Sequence, residues 1–299
     1  MPKDNIYKVF ENLNTAKSYN IINLVSAQSA IPNILFIKAL IENGFKIDKC
    51  FLIYTKEYEE EKNNIKNFLK NNRIISEEKI DDTIMVDFAG FNFIKEKAKK
   101  IINSIEDEDK NSILFNITGG TKIMSCALFN VAKENCLLTN IYYIYDNKIY
   151  NLKAGYPSKM SNNLLTIEEY FKITGIEKDK KISFEKIKFN DLELKEKFID
   201  QIQKPEINEK KICYIYKNKL YLVIYINEPT TEKCNCFIYE MNLIQKNTGP
   251  FLKGVFIINN GNVSPTLRAR ARIDDSKIVF KKINNNTDLE KIFDYLNTL

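Results

Sequence analysis

The residues best suited to chemistry lie in "NITGGTKIMSCAL", residues 116–128, where Thr118, Gly119, Gly120, Thr121 and Lys122 follow one another. With only 9 Gly in 299 residues, two adjacent glycines ask for a reason. Glycine lets a backbone approach a ligand closely and present its N–H groups. An apolar run, "SILF" (112–115), precedes the motif and reads as a strand, and a helical run follows. Amides at such a turn lie at the positive end of the helix dipole, which suits a phosphate. Thr118 and Thr121 would add hydroxyls and Lys122 a charge. A tight structural turn with a threonine helix cap is the competing reading of the same residues. The spacing is neither that of a Walker A loop nor that of G-x-G-x-x-G.

The chain contains no histidine. That excludes a Ser-His-Asp triad, a Cys-His dyad, any His metal ligand and the ribonucleases that need an Arg and a His on one helix. Catalysis must then use Lys, Ser or Thr, Tyr, carboxylates, backbone amides or a metal held by oxygens. The 6 cysteines show no framework spacing, and "CNC" (Cys234, Cys236) is a weak metal signal, so they read as reduced thiols in a cytoplasmic protein. The net charge of +6 is too mild for a bulk nucleic-acid binder. Arg73 is the only arginine outside "LRARAR", 267–272, whose Arg268, Arg270 and Arg272 face either phosphates or solvent. The polar start reads as no signal peptide, and no apolar run approaches the ~20 residues of a membrane span.

The surrounding elements must position the motif. Apolar runs at 19–27, 49–55, 83–88, 112–115 and 140–146 read as strands. Helical spacing covers 30–43, with Gly44 as its end cap, then 56–72, 93–107 and 121–135. Residues 147–152 complete a hairpin through Asp146-Asn147. Strands alternating with helices predict a doubly wound, Rossmann-like α/β fold with a parallel sheet, whose ligands bind at the carboxyl ends of the strands. Three loops lie there: 26–29, the one after Thr55, and 116–122. The second part reads as a smaller α+β domain. It has a short helix over 163–176, a helix over 192–204, and two strands joined at Lys217-Asn218. A helix from 236 ending near Gly249, the strands 253–259 and 277–280, and a terminal helix complete it.

"FNITGGTKIMSCAL", downstream of "LVSAQSAIPNILFIKAL" and "FLIYT", resembles the CARF (CRISPR-associated Rossmann fold) domain, in the branch joined to a PD-(D/E)xK nuclease domain. "LLTIEEYFKITG" resembles that branch's bridging segment. "KNKLYLVIYIN", "CFIYEMNLIQKNTGPFLKGVFIIN" and "LRARAR" resemble its nuclease scaffold. The resemblance implies a CARF domain over 1–156, a helical bridge over 157–184 and a restriction-endonuclease-like domain over 185–299. It implies a type III CRISPR accessory protein, a homodimer that binds cyclic oligoadenylate, most of all cyclic tetra-adenylate, across its two-fold axis. Neither cofactor nor metal is expected at that site, and neither a membrane nor long nucleic acid as a partner. Ala27, Gln28, Ser29, Thr55, Asn116, Thr118, Gly119, Gly120, Thr121 and Lys122 would hold the ring. Lys122, Ser26 and Thr118 would act if the ring is cut. Tyr142, Tyr143 and Tyr145 either stack on adenine or pack the sheet.

The nuclease pattern departs from the family. Its chemistry needs an acid on one strand and E-x-K on the next, with a divalent metal between the carboxylates. The matching strand carries Ile224, Tyr225 and Ile226, and the one before it Cys213, Tyr214 and Tyr216, with no carboxylate expected within either. Glu228 comes after the second strand. Glu193-Leu194-Lys195 falls on a helix, and Glu209-Lys210-Lys211 is placed before a strand. The expectation is a nuclease scaffold with a degenerate motif. Three functions remain: a slow, metal-independent ring nuclease, a non-catalytic sensor or sponge, and, last, a messenger-activated nuclease with a relocated metal site.

Overall fold

Apolar runs interrupted by polar turns build two sheets in the computed structural model. It describes residues 7–25, 29–87, 90–174, 185–186, 209–226, 230–248, 252–258, 279–282 and 291–294. The chain divides into two units, Met1–Leu164 and Leu165–Leu299.

The first unit alternates β1 (Ser18–Leu24), α1 (Ile31–Glu42), β2 (Lys46–Tyr54), α2 (Glu59–Asn71), β3 (Ile80–Met85), α3 (Phe91–Asn103), β4 (Ile113–Asn116), α4 (Lys122–Glu134) and β5 (Ile141–Tyr145). The hairpin strands β6 (Lys148–Asn151) and β7 (Pro157–Lys159) follow. The seven strands run in the order β3-β2-β1-β4-β5-β6-β7, parallel up to β5 and antiparallel beyond. This is the expected Rossmann-like α/β sheet. β4 is buried along its whole length, as is β1 beyond its first residue, because helices cover both faces. On one face α3 and α4 pack over Ile22, Leu24, Phe51, Ile53 and Phe115. On the other, Phe36 of α1 meets Tyr142 of β5 at 5.5 Å between ring centroids.

Local chemistry sets the boundaries. Gly44, at φ 81°, ends α1: its amide donates to the Ile41 carbonyl and the Phe45 amide to that of Leu40. Asp146 and Asn147 both take left-handed backbone, the turn a tight hairpin needs. β3 starts and ends earlier than the apolar run 83–88 suggests. Asp81 and Asp82 fall within this edge strand, where Asp82 sits between Lys62 and Lys66 of α2, 3.2 Å from each. Pro157–Lys159, which the sequence reading leaves in the bridge, adds the seventh strand.

The second unit has a five-stranded sheet ordered β12-β11-β10-β9-β8. Its strands are β8 (Glu185–Lys186), β9 (Glu209–Tyr216), β10 (Lys219–Ile226), β11 (Leu252–Ile258) and β12 (Val279–Lys282). Its helices include α5 (Ile167–Thr174) and α6 (Thr231–Thr248). Lys217 and Asn218, both at positive φ, close the β9–β10 hairpin as expected. α5 begins with a capping box: Thr166 and Glu169 exchange side-chain and backbone hydrogen bonds of 2.8 and 3.2 Å. α6 starts five residues before the expected position because Thr230 caps it, accepting from the Lys233 amide at 3.2 Å. Gly254 lets β11 approach that helix: a Cβ there would lie 2.6 Å from the Met241 sulfur. The expected helix 192–204 and "LRARAR" lie outside the described residues.

Candidate ligand site where β1 and β4 part

The strand order turns around between β1 and β4: from β1 the chain winds outward to β2, and β4 lies on the other side. Their carboxyl ends open the crevice in which doubly wound sheets hold ligands. Val25 and the turn 117–121 meet there, the Gly120 amide donating to the Val25 carbonyl at 2.9 Å.

Much of the Gly-Gly-Thr-Lys motif builds the turn. Gly120 sits at φ 72°, and a Cβ on it would lie 3.2 Å from Leu24 and from the Met124 sulfur. Thr121 caps α4, its hydroxyl accepting from the Met124 amide at 3.3 Å. The Thr118 hydroxyl donates to the Asn116 side-chain oxygen at 2.5 Å and accepts from the Ile144 amide at 2.9 Å. These contacts give two of the expected ligand residues a place in the turn itself. The Gly120 amide is already bonded within the protein, and its missing side chain makes room for β1. The Thr118 hydroxyl is bonded to the turn beneath it.

The other expected residues lie around the rim. Ser29 is buried, its hydroxyl accepting from the Ile31 amide at the start of α1 at 3.2 Å. Thr55 is buried just past β2, its carbonyl accepting from the Tyr58 amide at 2.9 Å. Asn116 is fully buried at the end of β4. Ser26, Ala27 and Gln28 lie outside the described residues. Gly119 is buried in the turn, next to exposed Lys122 at the first position of α4. Lys122 makes no ion pair with any described residue. Tyr142 packs the sheet, 5.4 Å from Phe10 between ring centroids, whereas Tyr143 and Tyr145 are exposed.

Sequence reasoning missed Asn23 and Asn33. Both are fully buried and hydrogen-bonded at this edge, Asn23 to Asn116 and Asn33 to the Leu24 carbonyl. Their signal was there: asparagines inside otherwise apolar runs, which must find partners once buried.

In the second unit Glu209 is the first residue of β9, opposite Ile226. This corrects the expectation that neither hairpin strand holds a carboxylate; the hairpin register carries β9 back through the whole Glu209-Lys210-Lys211 triplet. Lys211 is held elsewhere. Its ammonium lies 2.8 and 3.1 Å from the two Glu240 oxygens and 4.6 Å from the Phe237 ring centroid. Among the described residues no three His, Cys, Asp or Glu side chains group so as to hold a metal ion. Glu193 and Glu228 lie outside the described residues. No described helix is long and apolar enough to cross a membrane.

No curated protein matches the sequence. Among solved structures, Can2 from Sulfobacillus thermosulfidooxidans, in complex with cyclic tetra-adenylate, matches with a TM-score of 0.63 at 15% identity, over 95% of this chain and 98% of its own. VC1899 from Vibrio cholerae matches at 0.62 and 8% identity, over 94% and 97%. A type III CRISPR defence DNA nuclease activated by cyclic oligoadenylate matches at 0.50 and 12% identity, over 90% of this chain but 49% of its own length. At such identities the likeness speaks for the fold. The Card1 CARF domain family matches residues 21–170, half of the chain and all of the site built above, and the chain belongs to that family.

Proposed function

We propose that the first unit binds a cyclic oligoadenylate, cyclic tetra-adenylate before others, as part of type III CRISPR defence. One ring would be shared across the two-fold axis of a homodimer, so that two copies of one loop serve a symmetric ligand. The observation that carries this reading is Lys122: exposed, without an acidic partner among the described residues, and at the N-terminus of α4 beside the crevice. The first amides of a helix have no intrahelical acceptor, so those of Lys122 and Ile123 add donors, and the helix dipole adds favourable potential. Membership of the CARF family and the ligand of the Can2 structure support the choice of ligand. Ile123 and Phe129, exposed on α4, give this edge apolar surface for a two-fold contact.

The reading includes slow, metal-independent cutting. The ribose 2′-oxygen attacks the adjacent phosphorus and the P–O5′ bond breaks. The ends are a 2′,3′-cyclic phosphate and a 5′-hydroxyl; water takes the 2′ proton and supplies one to O5′. Lys122 and the amides stabilise the added charge, and the pocket holds the attack in line. A chain with no histidine forgoes the usual proton transfer, worth roughly 10²–10⁴-fold, so turnover is slow. Of the other expected participants, Ser26 stays a candidate for orienting the 2′-oxygen, and Thr118 holds the loop.

The internal bonds of Thr118 and Gly120 also favour a second reading, a sensor or sponge that binds without cutting. In either case residues 185–299, reached through the bridge 157–184, would serve as a nuclease scaffold without a working metal site. Incubation with cyclic tetra-adenylate in EDTA, followed by chromatography, separates the readings. Linear products with cyclic phosphate ends support cutting. An intact ring after many hours, with binding retained, leaves the sensor. Ends bearing a 3′-hydroxyl would point to a metal-dependent site and sink the mechanism.

A further inference from the structure

Beneath the proposed loop a row of buried polar side chains crosses four strands. The Asn23 side-chain NH2 donates to the Cys50 sulfur of β2 at 3.3 Å. The Asn116 NH2 donates to the Asn23 oxygen at 2.9 Å. The Asn116 oxygen accepts from both the Thr118 amide, at 3.1 Å, and the Thr118 hydroxyl. That hydroxyl accepts from the Ile144 amide of β5. Asn23 and Asn116 are register partners on β1 and β4, the two strands that part at the crevice, and both are fully buried. From these contacts we infer that Asn23 is a positioning residue for the Gly-Gly-Thr-Lys loop, setting the orientation of the Asn116 amide and through it the place of Thr118 and Lys122.

The two ends of an amide are different. An Asn side chain has an acceptor oxygen and a donor NH2. With the Asn23 oxygen facing it, Asn116 must turn its NH2 toward β1 and its oxygen toward the loop. Turned over, Asn116 would set oxygen against oxygen at Asn23 and NH2 against the Thr118 amide. In a buried site each such mismatch leaves polar groups unsatisfied, which costs more than an ordinary hydrogen bond contributes. Cys50 orients Asn23 in turn. Its thiol is buried, and that burial pushes its pKa up to about 12 against the opposing pull of the Asn23 hydrogen bond, so at neutral pH it is uncharged. The Asn33 NH2, bonded to the Leu24 carbonyl at 2.7 Å, pins α1 to the same strand end. A loop ordered before its ligand arrives binds more tightly, because less freedom is lost on binding.

The inference rests on the loop being the ligand site, so the test separates the two ideas. Two variants of the full chain are compared: Asn23→Leu, close in size but apolar, and Asn23→Asp, which keeps an oxygen facing Asn116. Amide hydrogen exchange of the free protein is read at residues 117–122, and cyclic tetra-adenylate affinity by calorimetry. Asn23→Leu should speed exchange of the Thr118 amide and weaken the ring's binding, each about tenfold. Asn23→Asp should move either by less than about threefold, a rescue that general destabilisation would not show. Equal losses in both variants, or unchanged exchange in Asn23→Leu, would overturn the inference. Should Asn23→Leu not fold, the wild type decides: the Thr118 and Ile144 amides should exchange more slowly than that of Lys122, and equal rates overturn it. If the wild type does not bind the ring while the exchange results hold, the ligand reading falls and the positioning role stands.

Discussion

Lys122 in the first unit and Lys211 in the second carry the same charge in opposite company. Lys211 lies between the Glu240 carboxylate and the Phe237 ring, in a pair whose side chains are 20% and 22% exposed. Lys122 stands at a helix N-terminus with no acid among its described neighbours. A lysine already neutralised by a nearby carboxylate has little left for an incoming phosphate, and freeing it would leave the carboxylate half-buried and unpaired. A lysine at a dipole's positive end, unpaired, gains most from an anion. The contrast is the reason we propose ligand chemistry in the first unit although the second holds a triplet of the nuclease type.

The sharpest way to break the contrast is to remove each lysine. Lys122→Ala should weaken cyclic tetra-adenylate binding roughly 10- to 100-fold, the size of one charge-assisted contact, as read by calorimetry. Equal affinities for Lys122→Ala and wild type would remove the basis of the site. Gly120→Ala should cost about 1–3 kcal/mol in denaturant unfolding, since alanine must adopt positive φ and meet Leu24 and Met124 at 3.2 Å. A neutral result there would mean that the turn relaxes freely. Lys211→Ala should cost about 1 kcal/mol of stability and leave ring binding unchanged. A loss of binding instead would join the two units in one function.

The smallest effect concerns pH. Burial works to raise the Asp82 pKa, but hydrogen bonds from Lys62 and Lys66 outweigh it and hold the carboxyl below its usual range. A depressed folded value stabilises above the unfolded pKa and is lost as pH falls through the folded one. Asp82 is partly solvated, so the loss should stay under about 1 kcal/mol. It should disappear in Asp82→Asn when unfolding is followed from neutral pH downward; an unchanged acid limb in that variant would count against the Lys62–Asp82–Lys66 cluster.

The first sheet was legible because its central strands β1 and β4 are apolar on both faces and its turns carry their own chemistry, as at Gly44 and Asp146-Asn147. β3 was misplaced because the charge of Asp82 is matched by Lys62 and Lys66 on α2, a tertiary fact that periodicity does not record. The start of α6 was missed because its cap, Thr230, precedes a polar first turn. At the site, the motif announced itself through its glycines and lysine, but not how its parts divide. Gly120 answers to Leu24 and Thr118 to Ile144, residues distant in sequence. Asn23 showed only as a polar residue in an apolar strand, whose partner 93 positions away becomes apparent once β1 and β4 are aligned.

The central claim is that the first unit holds one cyclic oligoadenylate per pair of chains through Lys122. Titration calorimetry of the full chain with cyclic tetra-adenylate in EDTA tests it most directly. The expected result is saturable binding at one ring per two chains, weakened at least tenfold by Lys122→Ala and unaffected by Lys211→Ala. No binding, or one ring per chain, would contradict it.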